Sequence, residues 1–497
     1  MRFALSVLSL ALFGTLSPAH ASGYHFGSQS AASQGTANAN GAEAVDASAL
    51  FYNPAASSRL QGTQASGVLN IVVPSGSYQD QGSTTQFGLP TNGGNGGKFV
   101  ATTAVPHAYL THQLNDALSL GFGVFVPFGS KSDYSPDWAG RYNTIGTEVK
   151  TIALNPSIAF KLNERLSLGA GVTAQYMEGK LSKGADFGSG AMALIVQQQV
   201  AANAVAGVPT SVIQAAVLNK LSGLIQAVSG NPSYSGRVDV DGTGWGYGFN
   251  LGLLYNYDDN TRFGLAYRSN ISHTLKGQAN WQVQTPAANL AAVLNGALPG
   301  AGTLVQQRLL AAYTNSDASL NVDTPESVSL SFFKQQDKLA VMGDLTITSH
   351  SRFNELRVDF SNNLPDSVTP ERWKNTIRAS FGANYQWSDQ LKLRGGLAFD
   401  QSPVTLATRT PSIPDADRVW VSAGMNWKFD SKRSVDLALS YISVAASQIN
   451  NYDNGGQVNA SGSAVCNPTA NTSSCATVRG RYSVSSALLG VQYNHQF

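Results

Sequence analysis

Few residues in this chain of 497 stand where catalysis would need them. There is no G-x-S-x-G elbow, no H-E-x-x-H, no C-x-x-C and no P-loop, and the seven histidines are scattered. No enzymatic activity, metal or cofactor is therefore expected. Binding chemistry is better represented. The stretch 182–235 carries Val212, Ile213, Ala216, Val217, Leu221, Leu224, Ile225 and Val228 at helical spacings, and 282–318 carries Leu290, Val293, Leu294, Leu298, Leu304, Leu309 and Leu310. Such apolar surface is costly in loops unless covered or used. The two stretches are expected to pack together and leave a groove, with Val217, Leu221, Leu224, Leu294 and Leu298 in it. Such a groove captures an acyl chain at about 0.8 kcal/mol per buried CH₂; a lid without a groove is the alternative. A carboxylate taken into an apolar pocket would in addition need a cation or hydrogen-bond donors. Cys466 and Cys475 lie close in sequence with no histidine nearby, so in an oxidising compartment a disulfide is expected rather than a metal site.

The elements that must position these residues are strands. Residues 1–21 read as a secretory signal peptide, with Arg2, an apolar run from Phe3 to Leu16 and the cleavage pattern Ala19-His20-Ala21. No later segment reaches the length of uncharged apolar sequence that a spanning helix needs. Instead, alternation dominates. Trp245, Tyr247, Phe249, Leu251, Leu253 and Tyr255 share one face, and Gly244, Gly246, Gly248, Asn250 and Gly252 share the other. Leu118 to Val126, Leu391 to Phe399, Val435 to Tyr441 and Leu489 to Phe497 repeat the pattern. Charged residues make up only 12% of the chain against about 25% in soluble domains, and 49 positions are glycine. Mean hydropathy is −0.10, so polar uncharged residues and glycine fill the place of charge. Thirty-two basic against thirty acidic residues is too even and too dilute for a nucleic-acid binder.

Short polar turns at 115–116, 163–164, 258–260, 336–337, 388–389 and 430–432 alternate with long connections at 74–98, 128–146, 182–235, 282–318, 349–371, 402–416 and 447–480. That asymmetry is the pattern of an outer-membrane barrel. Fourteen strands are expected, near 64–73, 99–113, 117–127, 147–162, 165–181, 237–257, 261–281, 319–335, 338–348, 372–387, 390–401, 417–429, 434–446 and 481–497. The fold class is thus an all-β, antiparallel transmembrane barrel, residues 64–497, with partly helical extracellular loops. Residues 22–63 are too polar for a lipid face and are placed in the lumen as a plug. The register of Leu166, Leu168, Ala170 and Val172 turns odd positions inward, Lys183 among them. Arg268, Arg378, Arg394, Asp400 and Arg418 also face inward, as a ladder for the plug or the lining of a channel.

With these segments in order, the sequence resembles the long-chain fatty acid transporter (FadL-type) family, which includes importers of aromatic hydrocarbons. The carriers are Asn53-Pro54-Ala55, GWGYGFNLGLLY followed by Gly264 to Ser269, RGGLAFDQSPV at Arg394 to Val404, PSIPDADRVWVSAG at Pro411 to Gly424, and the terminal Phe497. The resemblance implies a hatch containing Tyr24, Asn53, Pro54 and Ala55, a hydrophobic capture groove, and a deeper pocket. Lys183 and Arg357 match the family's two basic residues at that pocket, though either could be a loop-base charge exposed to water. Phe128-Gly129 matches a kink in the third strand that gives lateral exit into the bilayer. The resemblance implies a multi-pass, monomeric protein in the outer membrane of a Gram-negative bacterium. Its partners would be outer-membrane lipid and long-chain fatty acids or other hydrophobic small molecules, with no nucleic acid. A general porin or a surface adhesin barrel is the alternative function.

Overall fold

The computed structural model describes residues 23–466 and 473–497; the expected signal peptide, 1–21, lies outside them. Among these residues, twenty hydrogen-bonded segments form one sheet that closes on itself as a fourteen-stranded antiparallel barrel. The passes are β1 (Thr63–Asp80), β2 (Thr103–Gln113), β3 with β4 (Leu118–Phe125, Gly129–Asp133), β5 (Gly146–Lys161), β6 (Leu166–Asp186) and β7 (Ser235–Asn256). Then come β8 with β9 (Thr261–Arg268, Ile271–Gln282), β10 with β11 (Ser316–Thr324, Ser327–Gln336), β12 (Leu339–Thr348), and β15 (Thr376–Gln386). Between those last two, β13 (Glu355–Phe360) and β14 (Ser367–Pro370) form a short hairpin whose first strand pairs with β10 over Ala318–Leu320. The circuit ends with β16 (Leu391–Asp400), β17 (Arg418–Lys428), β18 with β19 (Arg433–Val444, Ser447–Tyr452) and β20 (Thr477–Gln496). Pairing of β1 with β20, from Gln64–Gln496 to Asp80–Gly480, closes the circuit.

Alternation decides the faces. Val172, Tyr247, Leu251, Phe381, Leu397, Val421, Leu439 and Val491 point outward and are exposed, as a bilayer-facing band requires, while Asn155, Gln175, Asn250, Ser440 and Gln492 are buried inside. Local hydrogen bonding sets the turns at the short-turn end. Asn115 Oδ1 accepts the amides of Ala117 and Leu118, Asn163 Oδ1 those of Arg165 and Leu166, and Asp430 Oδ1 those of Lys432 and Arg433.

Four helices rise from the other end: α3 (Phe187–Ala202) and α4 (Thr210–Val228) between β6 and β7, and α5 (Gln284–Ala297) and α6 (Ala301–Ala312) between β9 and β10. They share one apolar core, in which Met192, Val228, Leu290 and Leu294 are fully buried. The sequence reading found no apolar segment of spanning length. The 19-residue α4 does meet that length and composition, but it packs within this loop cluster.

Residues 23–62 run inside the barrel, through the short helices α1 (Ala31–Gln34) and α2 (Ala49–Tyr52) and a 3₁₀ turn at Pro54–Arg59. Almost every residue there is buried. Wall glycines make the room. A Cβ on Gly169 would overlap the backbone of Pro54 and Ala55, and one on Gly252 would overlap Asn53 Oδ1 and lie 2.8 Å from Pro54 Cδ.

Candidate functional site

An apolar cavity of about 810 Å³, open mouth included, lies between the loop cluster and the plug. Val149, Met177, Leu275, Leu320 and Val322 reach it from inward positions of β5, β6, β9 and β10, and Phe353, Leu356 and Val358 enter from beyond β12. Tyr24 forms its floor. That ring lies 5.4 Å from Phe128, 5.5 Å from Trp373 and 6.1 Å from Phe353, and its hydroxyl donates to Asp323 O at 2.8 Å. Glu148, Asp241 and Glu371 are the acids of its lining and Lys180 its base, and of these four only Glu371 is buried. Glu371 is 3% exposed, accepts Trp373 Nε1–H at 2.8 Å and faces Thr410 Oγ1 at 3.5 Å. Burial pushes its carboxyl up to about 8.

Below the floor, the wall is interrupted. Phe125 pairs with Ala153 and Gly129 with Lys150, so four steps along the third pass answer three along the fourth. The extra residue is a bulge at Val126-Pro127-Phe128. Beyond it β4 pairs only with β5, and β2 pairs with β3 only over Ala108–Gln113, although β2 continues to pair with β1 out to Thr103. The plug's first described residues occupy the vacated edge. Phe26 N donates to Pro127 O at 2.8 Å, Gly129 N donates to Tyr24 O at 2.7 Å, and His25 bridges Phe128 between them. Phe26 stacks on His107 of β2, and Gln29 Nε2 reaches Val126 O.

Asn53-Pro54-Ala55 seats the plug against the far wall. Asn53 Nδ2 donates to Leu253 O at 2.9 Å while its Oδ1 accepts Ala55 N at 3.0 Å, capping the turn that Pro54 begins. Arg268 donates to Phe51 O and lies over the Phe51 ring, Arg378 donates to Ala37 O, and Arg262 donates to Ala42 O. Arg394 bridges Glu43 at 3.3 Å and Asp436 at 2.9 Å. Arg418 pairs with Asp415, which also accepts Gly23 N. Four of the five inward charges named from the sequence thus meet the plug directly or through one neighbour; Arg262 was not among them.

The two proposed carboxylate-binding cations are not brought together. Lys183 is buried, one inward step beyond Leu181, but its Nζ already lies 2.9 Å from Asp453. It borders a smaller cavity with Trp281 and Phe360, which shares Leu181, Val240 and Val358 with the larger one. Arg357 points away from both. It lies on β13, where Leu356 and Val358 turn inward, and pairs outside with Glu355 at 2.7 Å and Asp366 at 2.8 Å. The expectation for Arg357 is corrected on that ground. At the margin of the cavity Lys131 and Lys150 pair with Glu148, and Lys180 pairs with Glu178.

Among the capture residues, Val217, Leu221 and Leu294 are core of the loop cluster, while Leu224 and Leu298 sit at its partly exposed margin. Cys466 and Cys475 form a disulfide. Ser474, beside it, donates its amide to Asp453 Oδ2 and its Oγ accepts Asp186 N, so this loop also holds the partner of Lys183.

A family model described as outer membrane protein transport protein (OMPP1/FadL/TodX) matches residues 13–497. The chain is 37% identical to a putative outer membrane protein of Neisseria meningitidis serogroup B over 99% of its own length and 98% of that protein's. It is 30% identical to the long-chain fatty acid transport protein of Shigella flexneri, covering 71% of this chain and 73% of that one. In structure it resembles a Pseudomonas aeruginosa FadL homologue, with TM-score 0.77, 25% identity and coverage of 96% and 100%. The Pseudomonas putida toluene transporter TodX matches in fold, with TM-score 0.59, 18% identity and coverage of 91% and 94%.

Proposed function

Because the chain belongs to the OMPP1/FadL/TodX family, it is an outer-membrane transporter of hydrophobic compounds, and we propose that its cargo is long-chain fatty acids. The path begins at the margin of the helical loop cluster and descends the apolar wall that the two cavities share. It pauses in the larger cavity above Tyr24 and leaves sideways where β2 and β4 do not pair. The observation that carries this reading is the placement of Tyr24, whose ring floors the cavity while its carbonyl holds Gly129 at the bulge. One residue therefore links filling of the pocket to closure of the side exit.

Growth on oleate as sole carbon source tests the cargo. A strain lacking the gene is expected to grow poorly and to recover with it; equal growth of both strains would remove fatty acids from the reading. Neutral or aromatic hydrocarbons are the second reading, favoured by the larger cavity, whose one buried ionisable lining side chain other than Tyr24 is an acid rather than a base. The capture margin has its own test. Replacing Leu224 and Leu298 with Asp is expected to weaken ligand capture by purified protein several-fold while leaving the buried loop core in place. Unchanged capture would restore the plain-lid reading of the loops. A porin role fits poorly with a lumen occupied by residues 23–62.

A further inference from the structure

We propose that Glu371 sets the ligand class of the deep cavity, so that cargo occupies it only in uncharged form: a hydrocarbon, a long-chain alcohol or a protonated acid. The inference rests on the uptake reading above and deepens it. The position is defined by geometry. Glu371 lies on the segment 371–375 between β14 and β15, its amide donates to Asn354 O at 2.8 Å, and its carboxyl is clamped on one side by the Trp373 indole. The other oxygen has only Thr410 Oγ1, at the limit of a hydrogen bond, and Glu371 borders the cavity with Tyr24, Ser412 and Ile413.

No cation pairs with this carboxyl among the described residues. Arg372 and Lys374, its sequence neighbours, are exposed. Arg409, next to Thr410, donates instead to Asp415 O and Gln448 O. Lys183 is paired with Asp453, and Arg357 with Glu355 and Asp366. Lys180, at the exposed margin of the lining, is paired with Glu178 at 2.9 Å, and Lys131 and Lys150 are paired with Glu148, so a carboxylate ligand beside Glu371 would add negative charge to an apolar site whose nearby cations already have partners. A protonated Glu371 can instead exchange hydrogen bonds with a hydroxyl or a carboxylic acid, and it asks nothing of a hydrocarbon.

The remaining groups facing Glu371 do not titrate near neutrality. Tyr24, from the plug, is driven far upward by burial, and His350, behind Trp373, is driven down to about 3 by burial. Of these three, Glu371 is the one that changes charge near pH 8. A bound apolar molecule strips water from the carboxyl and favours its protonated form, so by linkage affinity for an uncharged ligand falls as pH rises through about 8.

The test is equilibrium binding of radiolabelled 1-hexadecanol and hexadecane-1-sulfonate, equal in chain and opposite in charge state, to the purified full chain in detergent. At about pH 7 the wild type is expected to bind the alcohol at least about tenfold more tightly than the sulfonate. Its affinity for the alcohol should weaken several-fold between about pH 7 and about pH 9.5, whereas Glu371→Gln should bind the alcohol with a flat profile. Glu371→Lys should reverse the preference. Equal affinities for the two probes in the wild type, or the same pH profile in Glu371→Gln, would overturn the role of Glu371 alone. Binding of neither probe by the wild type would overturn the uptake reading and this proposal with it.

Discussion

Tying the plug to the third pass should stop uptake altogether. His25 and Phe128 form a bridge whose flanking hydrogen bonds run from Phe26 N to Pro127 O and from Gly129 N to Tyr24 O. That is the geometry of a non-hydrogen-bonded antiparallel pair, whose Cα atoms lie about 4.5 Å apart, within the span of a disulfide. The double variant His25→Cys, Phe128→Cys should therefore oxidise during export. With the bridge closed, Tyr24 cannot leave the cavity floor and the segment cannot leave the vacated strand edge. Oleate uptake is expected to fall to the level of cells lacking the gene and to return on mild reduction. Reduction of the wild type, which opens only Cys466–Cys475, provides the control. Full uptake with the cross-link verified by mass would mean that cargo does not pass this way.

The second large effect is expected at Arg394. Its guanidinium joins Glu43 of the plug to Asp436 of β18, and all three side chains are almost completely buried. Replacing it with Leu leaves two carboxylates enclosed. Asn384 and Lys392 still reach Glu43 and Asn494 still reaches Asp436, but no group then neutralises both. Breaking a buried pair by removing one partner costs about 3–5 kcal/mol. The cost falls on the plug's seat, because the barrel wall is held by its own ladder. Arg394→Leu should thus raise steady ion conductance in planar bilayers above the near-closed wild type, while heat-resistant barrel migration on gels is kept. Adding Glu43→Gln should recover part of the seal. Wild-type conductance in the single variant would show that this triad does not hold the plug.

The wall was legible because it obeys two short-range rules. Alternation assigns each side chain to lipid or lumen, and Asn or Asp at a turn hydrogen-bonds its own neighbours, so both can be read from a dozen residues. The kink at Phe128-Gly129 came instead from the family resemblance, with the glycine as its one local sign. What escaped depends on partners far apart in the chain. Nothing near Lys183 announces Asp453, and nothing near Glu371 announces that no base pairs with it among the described residues. Arg357 was misplaced because the stretch 349–371 conceals a hairpin of two short strands, and a single register step there decides inside from outside. The plug has no periodicity, so its burial in the lumen could be argued from composition, but its docking as a strand at the bulge could not.

The glycines that receive Asn53, Pro54 and Ala55 have a further consequence for how such a sequence can drift. A side chain added at Gly169 or Gly252 must be answered by a smaller or displaced residue in the plug, two hundred positions away in the second case. The inner wall and the plug are therefore one mould and its casting, whose substitutions can be accepted only as matched sets. The lipid-facing positions beside them, asked only to be apolar, can change singly. Variation among relatives should run freely on one face of each strand and in lockstep with the plug on the other.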